Sequence, residues 1–225
     1  KNNIFDNKVV IIDEAHNFIS RIVNKVNKQR ANAKPNNIPT QLYELLMSAN
    51  NARIVLLTGT PIINYPNEIG ICFNILRGYI KSWRLSYDQK DNVKQINYEL
   101  ISSIMKEFNT VDYLEVTNNE IVFTRNPYGF ENKFYNDSYT GVTGEISSKR
   151  FMNDKKFIEE VLKVLHNNDI KIIKSKVKVE KTKALPDRLE TFQQMFIDSV
   201  NGKLKNENIF KRRILGLTSY FRSAQ

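Results

Sequence analysis

At 225 residues, the chain is long enough for one large or two small domains with hydrophobic cores. Its hydrophobic content of 41% is ordinary for a globular protein, and no stretch approaches the roughly 18 uninterrupted apolar residues of a membrane-spanning helix. The net charge of +10 favours a polyanionic partner, although the abundance of Lys, Asn and Ile is also typical of an AT-rich genome.

A single cysteine excludes an internal disulfide framework and any zinc site built on several cysteines. Cys72 lies in an apolar run, where we expect a buried packing residue in an intracellular, reducing setting. The chain begins with Lys1-Asn2-Asn3 and carries no signal-peptide pattern. Because a starting Met is missing, we expect an internal piece of a longer protein.

The first predicted element is an apolar strand over residues 8–13, a run typical of a parallel strand covered on both faces. Helices are predicted over residues 17–28 and 39–49, a second strand over 53–58, and a third helix from residue 66 to about residue 80. Alternating strands and helices with short connections indicate an α/β sheet, whose ligands bind at the carboxyl ends of the strands.

The character of the chain changes after Trp83. A polar loop extends to residue 97. After it, helices are predicted over residues 98–108 and 154–166, a hairpin over 113–124, a Gly/Thr/Ser-rich loop over 136–148 and a strand over 170–183. Within the loop, we expect Gly141-Val142-Thr143-Gly144 to form a plain turn. Residues 187–197 and 208–224 are predicted to be helical.

A polar motif follows each of the first two predicted strands: Asp13-Glu14-Ala15-His16 and Thr58-Gly59-Thr60-Pro61. Hydrolysis of a nucleoside triphosphate requires Mg²⁺ on the phosphates and a carboxylate near the attacking water. An Asp at the tip of a buried strand can hold the metal while the adjacent Glu orients or deprotonates water. A lone acidic strand end more often caps a helix, but the shared placement of the two motifs favours the catalytic interpretation.

The first motif resembles motif II, and Thr58-Gly59-Thr60-Pro61 with Asn64 resembles motif III, of the DEAH-box superfamily 2 helicases. The Thr-Gly-Thr-Pro-x-x-Asn form is similar to that of the Swi/Snf-type DNA translocases. The segment from Leu185 to Tyr220 further resembles helicases of nucleocytoplasmic large DNA viruses, among them relatives of the poxvirus nucleoside triphosphatase and early transcription factor.

The resemblance implies two RecA-like lobes with ATP in the cleft between them and nucleic acid across their top. We therefore expect an α/β fold in which residues 1–83 form the C-terminal half of the first RecA-like lobe, a parallel sheet with flanking helices. Residues 84–183 would form a linker and inserted α+β subdomain, and residues 184–225 the truncated start of a second RecA-like lobe.

By resemblance, Asp13 coordinates Mg²⁺ and Glu14 activates water, so ATP and Mg²⁺ are the expected cofactors. Coupling of nucleotide state to lobe closure would fall to His16, Thr58, Gly59 and Thr60. The sequence has no Gly-x-x-x-x-Gly-Lys-Ser/Thr phosphate loop and no recognisable arginine finger. We therefore expect this piece alone to neither bind ATP tightly nor hydrolyse it.

Nucleic-acid contacts are predicted at basic side chains of two later elements, namely Lys174, Lys176, Lys178, Arg212 and Arg213. The lysine run also fits a solvated edge strand in which Lys prevents unwanted pairing, and both interpretations stay open. The aromatic residues between 128 and 135 have the chemistry to stack on bases. Aromatics in a small subdomain more often form its core, which is the preferred interpretation.

The leading hypothesis is an ATP-dependent helicase or translocase that moves on DNA or RNA, with DNA favoured, in viral transcription or replication. Its expected partners are nucleic acid and the viral transcription machinery, with no membrane. A viral source would place it in the virion and the host cytoplasm. The alternatives are a non-catalytic nucleic-acid-binding scaffold derived from a helicase lobe, and an unrelated α/β enzyme with a chance motif.

Overall fold

The computed structural model describes residues 3–28, 36–126, 129–136, 138–144, 152–214 and 216–219. The helices are α1 (Ala15–Val26), α2 (Ile38–Ser48), α3 (Asn67–Arg77), α4 (Tyr98–Met105), α5 (Asp154–Asn167), α6 (Leu189–Phe196) and α7 (Glu207–Ile214). The strands are β1 (Val9–Ile12), β2 (Arg53–Leu56), β3 (Ile80–Ser86), β4 (Val111–Val116), β5 (Glu120–Arg125), β6 (Glu131–Tyr135), β7 (Ser138–Thr143) and β8 (Val177–Thr182). No helix in these ranges combines the length and the apolar character needed to cross a membrane.

The chain divides into two compact units. The first consists of Lys1–Ile80 together with Lys183–Gln225, and the second of Lys81–Thr182. The first unit contains the two predicted motifs.

Strands β1 and β2 form a parallel pair in the first unit, with Val9 opposite Arg53 and Ile12 opposite Leu56. Because side chains alternate along a strand, one face of this pair presents Val10, Ile12, Ile54 and Leu56 to a core built by α1, α2 and α3. The opposite face carries the exposed side chains of Val9, Ile11, Val55 and Leu57. For β1, the prediction of cover on both faces is therefore wrong within the described residues, since α1, α2 and α3 contribute to the core on one face.

The first two helices form for reasons that the sequence makes visible. In α1 the buried side chains Ala15, Ile19, Ile22 and Val26 recur at the three- and four-residue spacing of one helix face. Helix α2 begins where the Asn37 side chain accepts a hydrogen bond from the Thr40 amide, a standard N-terminal cap.

Helix α3 lies at the centre of the first unit and is buried along most of its length. Its Ile71 and Ile75 belong to the core shared with α1 and α2, whereas Phe73 packs in a second cluster with aromatic residues of α6 and α7, namely Phe192, Phe196 and Phe210. The segment after residue 183 is thus packed on α3. Its assignment to the start of a second lobe stays a prediction.

The second unit is an α+β structure. Its four-stranded sheet has the order β4-β5-β3-β8, and β5 pairs antiparallel with both β3 and β4. Its core includes Trp83 and Phe123, which stack with their ring centroids 5.7 Å apart, and Phe157 of α5, which meets Trp83 edge-on.

The predicted loop beginning at residue 84 is wrong at its start, because β3 extends to Ser86.

The hairpin of β6 and β7 corrects a second prediction. Residues 136–148 were expected to form a loop and Gly141–Gly144 a turn, yet Gly141 and Val142 lie in β7 opposite Lys133 and Asn132 of β6. Backbone pairing needs no side chain, so the glycine-rich composition did not prevent a strand here.

The α/β fold class is nevertheless confirmed, and the parallel pair with its helices is consistent with part of a RecA-like lobe.

Candidate active site

The two sequence motifs lie side by side at the carboxyl ends of β1 and β2. The Leu57 amide donates a hydrogen bond to the Ile12 carbonyl (2.9 Å), and the Ala15 amide donates to the Leu57 carbonyl (3.0 Å). The strand pairing therefore continues beyond the strands into the first residue of α1. This continuation fixes the start of α1 against the segment that leads to Thr58.

Asp13 and Glu14 form a tight turn between β1 and α1. Glu14 has a left-handed backbone (φ 47°, ψ 46°), and the Asp13 Oδ1 atom accepts a hydrogen bond from the Glu14 amide at 2.9 Å. A non-glycine residue in this region costs roughly 1–2 kcal/mol. Both side chains are exposed, so both carboxylates are accessible to a ligand.

A hydrogen bond between His16 and Thr58 joins the two motifs directly. The His16 Nδ1 atom lies 2.9 Å from the Thr58 hydroxyl oxygen and 3.3 Å from the Glu14 Oε2 atom. The Thr60 amide donates to the same Thr58 hydroxyl oxygen at 3.1 Å. The side chain of His16 is only 18% exposed, whereas that of Glu14 is 66% exposed.

The Thr58 hydroxyl can bond to several groups at once, because it can donate one hydrogen bond and accept two. It accepts from the Thr60 amide, which leaves its proton and a second lone pair for His16. When Nδ1 of His16 carries no proton, the hydroxyl donates to it; when Nδ1 is protonated, the imidazole donates to Thr58 or to the Glu14 carboxylate. His16 without a proton on Nδ1 therefore binds Thr58, whereas His16 with that proton can bind either Thr58 or Glu14.

The carboxylate of Asp13 is the candidate metal ligand. No group of three His, Cys, Asp or Glu side chains suited to a metal ion occurs in the part of the chain that the structure describes. Magnesium at nucleotide sites is commonly held by one or two carboxylates together with phosphates and water. The donor set therefore fits an ion that arrives with a nucleotide, and Mg²⁺ itself stays a prediction.

Gly59 and Thr60 are exposed in the loop that follows β2. A Cβ atom added to Gly59 would meet no described heavy atom within 4 Å beyond its chain neighbours. The structure thus brings Glu14, His16, Thr58 and the Thr60 backbone together, and it leaves the space above Gly59 open.

The predicted nucleic-acid contacts of the lysine run lie in the second unit. Lys174 and Lys176 belong to a short 3₁₀ turn and Lys178 to β8, and all three are exposed. Strand β8 is at the end of the sheet order, where Glu180 receives a hydrogen bond from Arg84 at 2.9 Å. This position favours the edge-strand interpretation without deciding between it and phosphate contact.

The two predicted arginines of α7 differ in exposure. Arg212 is half-buried, whereas Arg213 is only 8% exposed. The Arg77 guanidinium of α3 donates to the Arg213 carbonyl at 3.2 Å and so caps the end of α7. The nucleic-acid role of both arginines stays a prediction, and the burial of Arg213 weighs against it for that residue.

The preferred core interpretation of the aromatic residues is wrong for Phe134 and Tyr135, which are 44% and 71% exposed. In the described structure, β6 pairs only with β7, and Phe134 meets Tyr139 of β7 edge-on. Phe130 is half-buried, and Tyr128 lies outside the described residues.

Sequence reasoning missed Glu68, a buried carboxylate in the first turn of α3. Its Oε2 atom accepts hydrogen bonds from the amides of Ile63 and Asn64, in the loop that motif III begins. The sequence offers one indication of this residue: it is acidic and lies at a predicted helix start, four positions after Asn64.

Comparison with known proteins finds relatives among large DNA viruses. A 72-residue segment, 32% of the chain, is 44% identical to a termination factor NPH-I homolog of African swine fever virus. A candidate ATP-dependent RNA helicase (R350) of Acanthamoeba polyphaga mimivirus is 35% identical over 101 residues, or 43% of the chain. A candidate helicase (087L) of invertebrate iridescent virus 3 is 32% identical over 76 residues, or 34% of the chain.

The matched segments span only 9%, 12% and 7% of these three relatives. No family model matches the chain. No solved structure matches it either. The predicted resemblance to helicases of large DNA viruses is confirmed by these relatives: the chain is similar to helicase-like proteins of large DNA viruses.

Proposed function

We propose that the protein containing this chain is an ATP-dependent nucleic-acid motor, and that Asp13 and Glu14 are its catalytic carboxylates. The observation that carries the proposal is the 2.9 Å contact between His16 and Thr58. This contact joins the two motifs, 42 residues apart in the sequence, into one polar cluster at the carboxyl ends of adjacent parallel strands, where ligands of such sheets bind. Similarity to helicase-like viral proteins supports the same class.

In this proposal, Asp13 holds Mg²⁺, which when bound neutralises charge on the nucleotide phosphates. The adjacent Glu14 accepts a proton from the attacking water and orients it. The exposed position of both carboxylates supports these roles, because the phosphates and the water must reach them. The left-handed backbone at Glu14 sets the direction of its side chain.

Coupling would pass from Glu14 through His16 to Thr58 and Thr60. A change in hydrogen bonding at Glu14 alters which partner His16 binds, and Thr58 transmits that change to the Thr60 amide. Gly59 would keep the loop open to a second lobe or to nucleic acid. Such a chain of hydrogen bonds gives ATP different contacts in two conformations, which a motor requires.

The proposed track is nucleic acid, with DNA favoured by the Swi/Snf-like form of the second motif. The printed names of the mimivirus relatives include RNA helicases, so RNA is the alternative track. The African swine fever virus relative is named as a termination factor, which supports a setting in viral transcription. The virion and the host cytoplasm would then be its location.

A double-mutant cycle on His16→Ala and Thr58→Val tests the proposal in the full-length protein. Each single variant should lower kcat for ATP hydrolysis about tenfold or more, and the double variant should be no slower than the slower single variant. Thr117→Val is the matched control, because it removes a threonine hydroxyl bonded only within the second unit.

Two outcomes would contradict the proposal. Additive losses in the double variant would mean that the two motifs act independently. A wild-type protein that binds nucleic acid but hydrolyses no nucleotide would favour the non-catalytic scaffold.

A further inference from the structure

Glu68 is a charged residue in the interior of the first unit. Its side chain belongs to the first turn of α3, and the residue is 1% exposed. The Oε1 atom accepts a hydrogen bond from the Ser20 hydroxyl of α1 at 3.0 Å. The Oε2 atom accepts from the Ile63 amide at 2.6 Å and from the Asn64 amide at 3.2 Å.

A buried carboxylate is costly unless hydrogen bonds replace the water it loses. Glu68 has three donors and lies at a helix N-terminus, where the helix dipole stabilises negative charge. Packing alone would be served as well by an apolar side chain. The charge is therefore explained by the groups it binds, two of which are backbone amides of the loop after β2.

Glu68 supplies the second of two links between α1 and this loop. The first link is the bond from His16 to Thr58 at the start of the loop. Ser20 lies four residues after His16, which places both on the same face of α1. Through Glu68, Ser20 reaches Ile63 and Asn64 at the far end of the loop.

Between these two links, the loop has little packing of its own. Residues 59–65 are exposed, and the side chains of Ile62 and Ile63 are 45% and 51% exposed. Gly59 leaves open space around its Cα atom. Because apolar burial does not hold the loop, its conformation depends on the hydrogen bonds at its ends.

We propose that Glu68 is a positioning residue that fixes the loop from Thr58 to Asn64 against α1, and thereby against Asp13 and Glu14. Because it is buried, it acts through the loop and needs no contact with nucleotide or nucleic acid. The inference rests on the proposed ATP hydrolysis, and it adds that the catalytic geometry depends on a buried carboxylate outside both motifs.

Backbone hydrogen exchange tests the structural half of the inference without requiring activity. In Glu68→Ala, the peptide that contains the Ile63 and Asn64 amides should exchange about tenfold faster or more, because both amides lose their acceptor. Ser20→Ala should increase exchange less, since Glu68 keeps both amides. An unchanged exchange rate in Glu68→Ala would overturn the inference.

Steady-state hydrolysis by the full-length protein tests the functional half. Glu68→Ala should lower kcat by about a hundredfold, the cost of a misplaced catalytic geometry, and leave KM for ATP nearly unchanged. Glu68→Gln should recover part of the loss, because its amide oxygen still accepts. Ser20→Ala should lower kcat less than Glu68→Ala. If Glu68→Ala does not fold, the kcat of Ser20→Ala still tests the inference.

Glu44→Ala is the matched control, since Glu44 accepts a hydrogen bond from Tyr79 and belongs to neither link. If the wild-type protein is active and the Glu68 and Ser20 variants have the kcat of the wild type, only the proposed role of Glu68 is overturned. A wild-type protein without hydrolysis would instead overturn the proposed function on which this inference rests.

Discussion

At the scale of single residues, Glu14 has an unusual backbone for its side chain. Its left-handed conformation would be adopted more readily by Gly or Asn. Among the described residues, its carboxylate contacts His16 and is otherwise largely exposed. A backbone that costs energy and returns little packing is consistent with the catalytic role proposed for the Glu14 side chain. The same turn leaves the Asp13 and Glu14 carboxylates accessible together.

The residues of the candidate site were predictable to different degrees. Asp13, Glu14 and Thr58 follow from motif spacing, because parallel strands bring their carboxyl ends to one edge. Glu68 was missed because two of its partners are backbone amides, which have no signature in a sequence. Its position in the first turn of a helix also has an ordinary explanation in the helix dipole, so the sequence gives no separate indication of the role proposed for it.

At the scale of secondary-structure elements, α3 connects the loop after β2 to the segment that begins at residue 183. The Asn74 side chain donates to the Leu185 carbonyl and accepts from the Leu185 amide, both at 2.8 Å. The Asn67 side chain donates to the Asp187 carbonyl at 2.7 Å. Between these two contacts, Gly70 allows the backbone at Pro186 to approach the helix.

Replacing Gly70 with Ala tests this close contact. In an open helix the change would stabilise by roughly 1 kcal/mol, but here the new Cβ atom would lie 2.3 Å from the Pro186 carbonyl oxygen. We expect Gly70→Ala to destabilise the protein by about 1–3 kcal/mol, measured by thermal or denaturant unfolding.

Gly59→Ala is the matched control for stability, because its added methyl group meets open space. Its unfolding midpoint should be no lower than that of the wild-type protein. A Gly70→Ala variant as stable as the wild type would show that the segment after residue 183 does not pack on α3 in this way.

The elements themselves were predicted best where periodicity was strong. Strands β1 and β2 and helices α1 to α3 were expected within a few residues of their observed bounds, since their apolar spacing matches one regular structure. Strand β7 was missed because its glycine and threonine content resembles a loop, and only pairing with β6 reveals it. The exposed outer face of β1 and β2 was not predictable from a continuous apolar run, which does not report which face is covered.

At the scale of the whole molecule, the positive charge is unevenly distributed. The sequence of the first unit has 17 Lys and Arg against nine Asp and Glu, whereas that of the second unit has 17 against 15. The excess charge that favours a polyanionic partner therefore belongs to the unit that carries both motifs. The second unit as a whole has nearly balanced charge. If its lysine run contacts phosphates, the contact must therefore come from these side chains themselves and not from an overall positive charge of the unit.

The triple variant Lys174→Gln, Lys176→Gln and Lys178→Gln tests that local role. If all three contact phosphates, the slope of log affinity against log salt concentration should fall by about 2–3 for double-stranded DNA. Affinity for DNA and for RNA is measured over a salt series with the full-length protein.

The control for the lysine run is Lys155→Gln, Lys156→Gln and Lys163→Gln in α5, which removes the same charge from exposed positions of the same unit. A slope that changes equally in both triple variants, or in neither, would support the edge-strand interpretation of β8.

Glu14 is proposed to be the catalytic carboxylate of an ATP-driven motor. The most direct measurement compares ATP binding and ATP hydrolysis by the full-length protein and its Glu14→Gln variant. We predict that the variant binds ATP as tightly as the wild type and hydrolyses it at least about a hundredfold more slowly, since the amide cannot take a proton from water. Undiminished hydrolysis by Glu14→Gln, beside an active wild type, would contradict the claim.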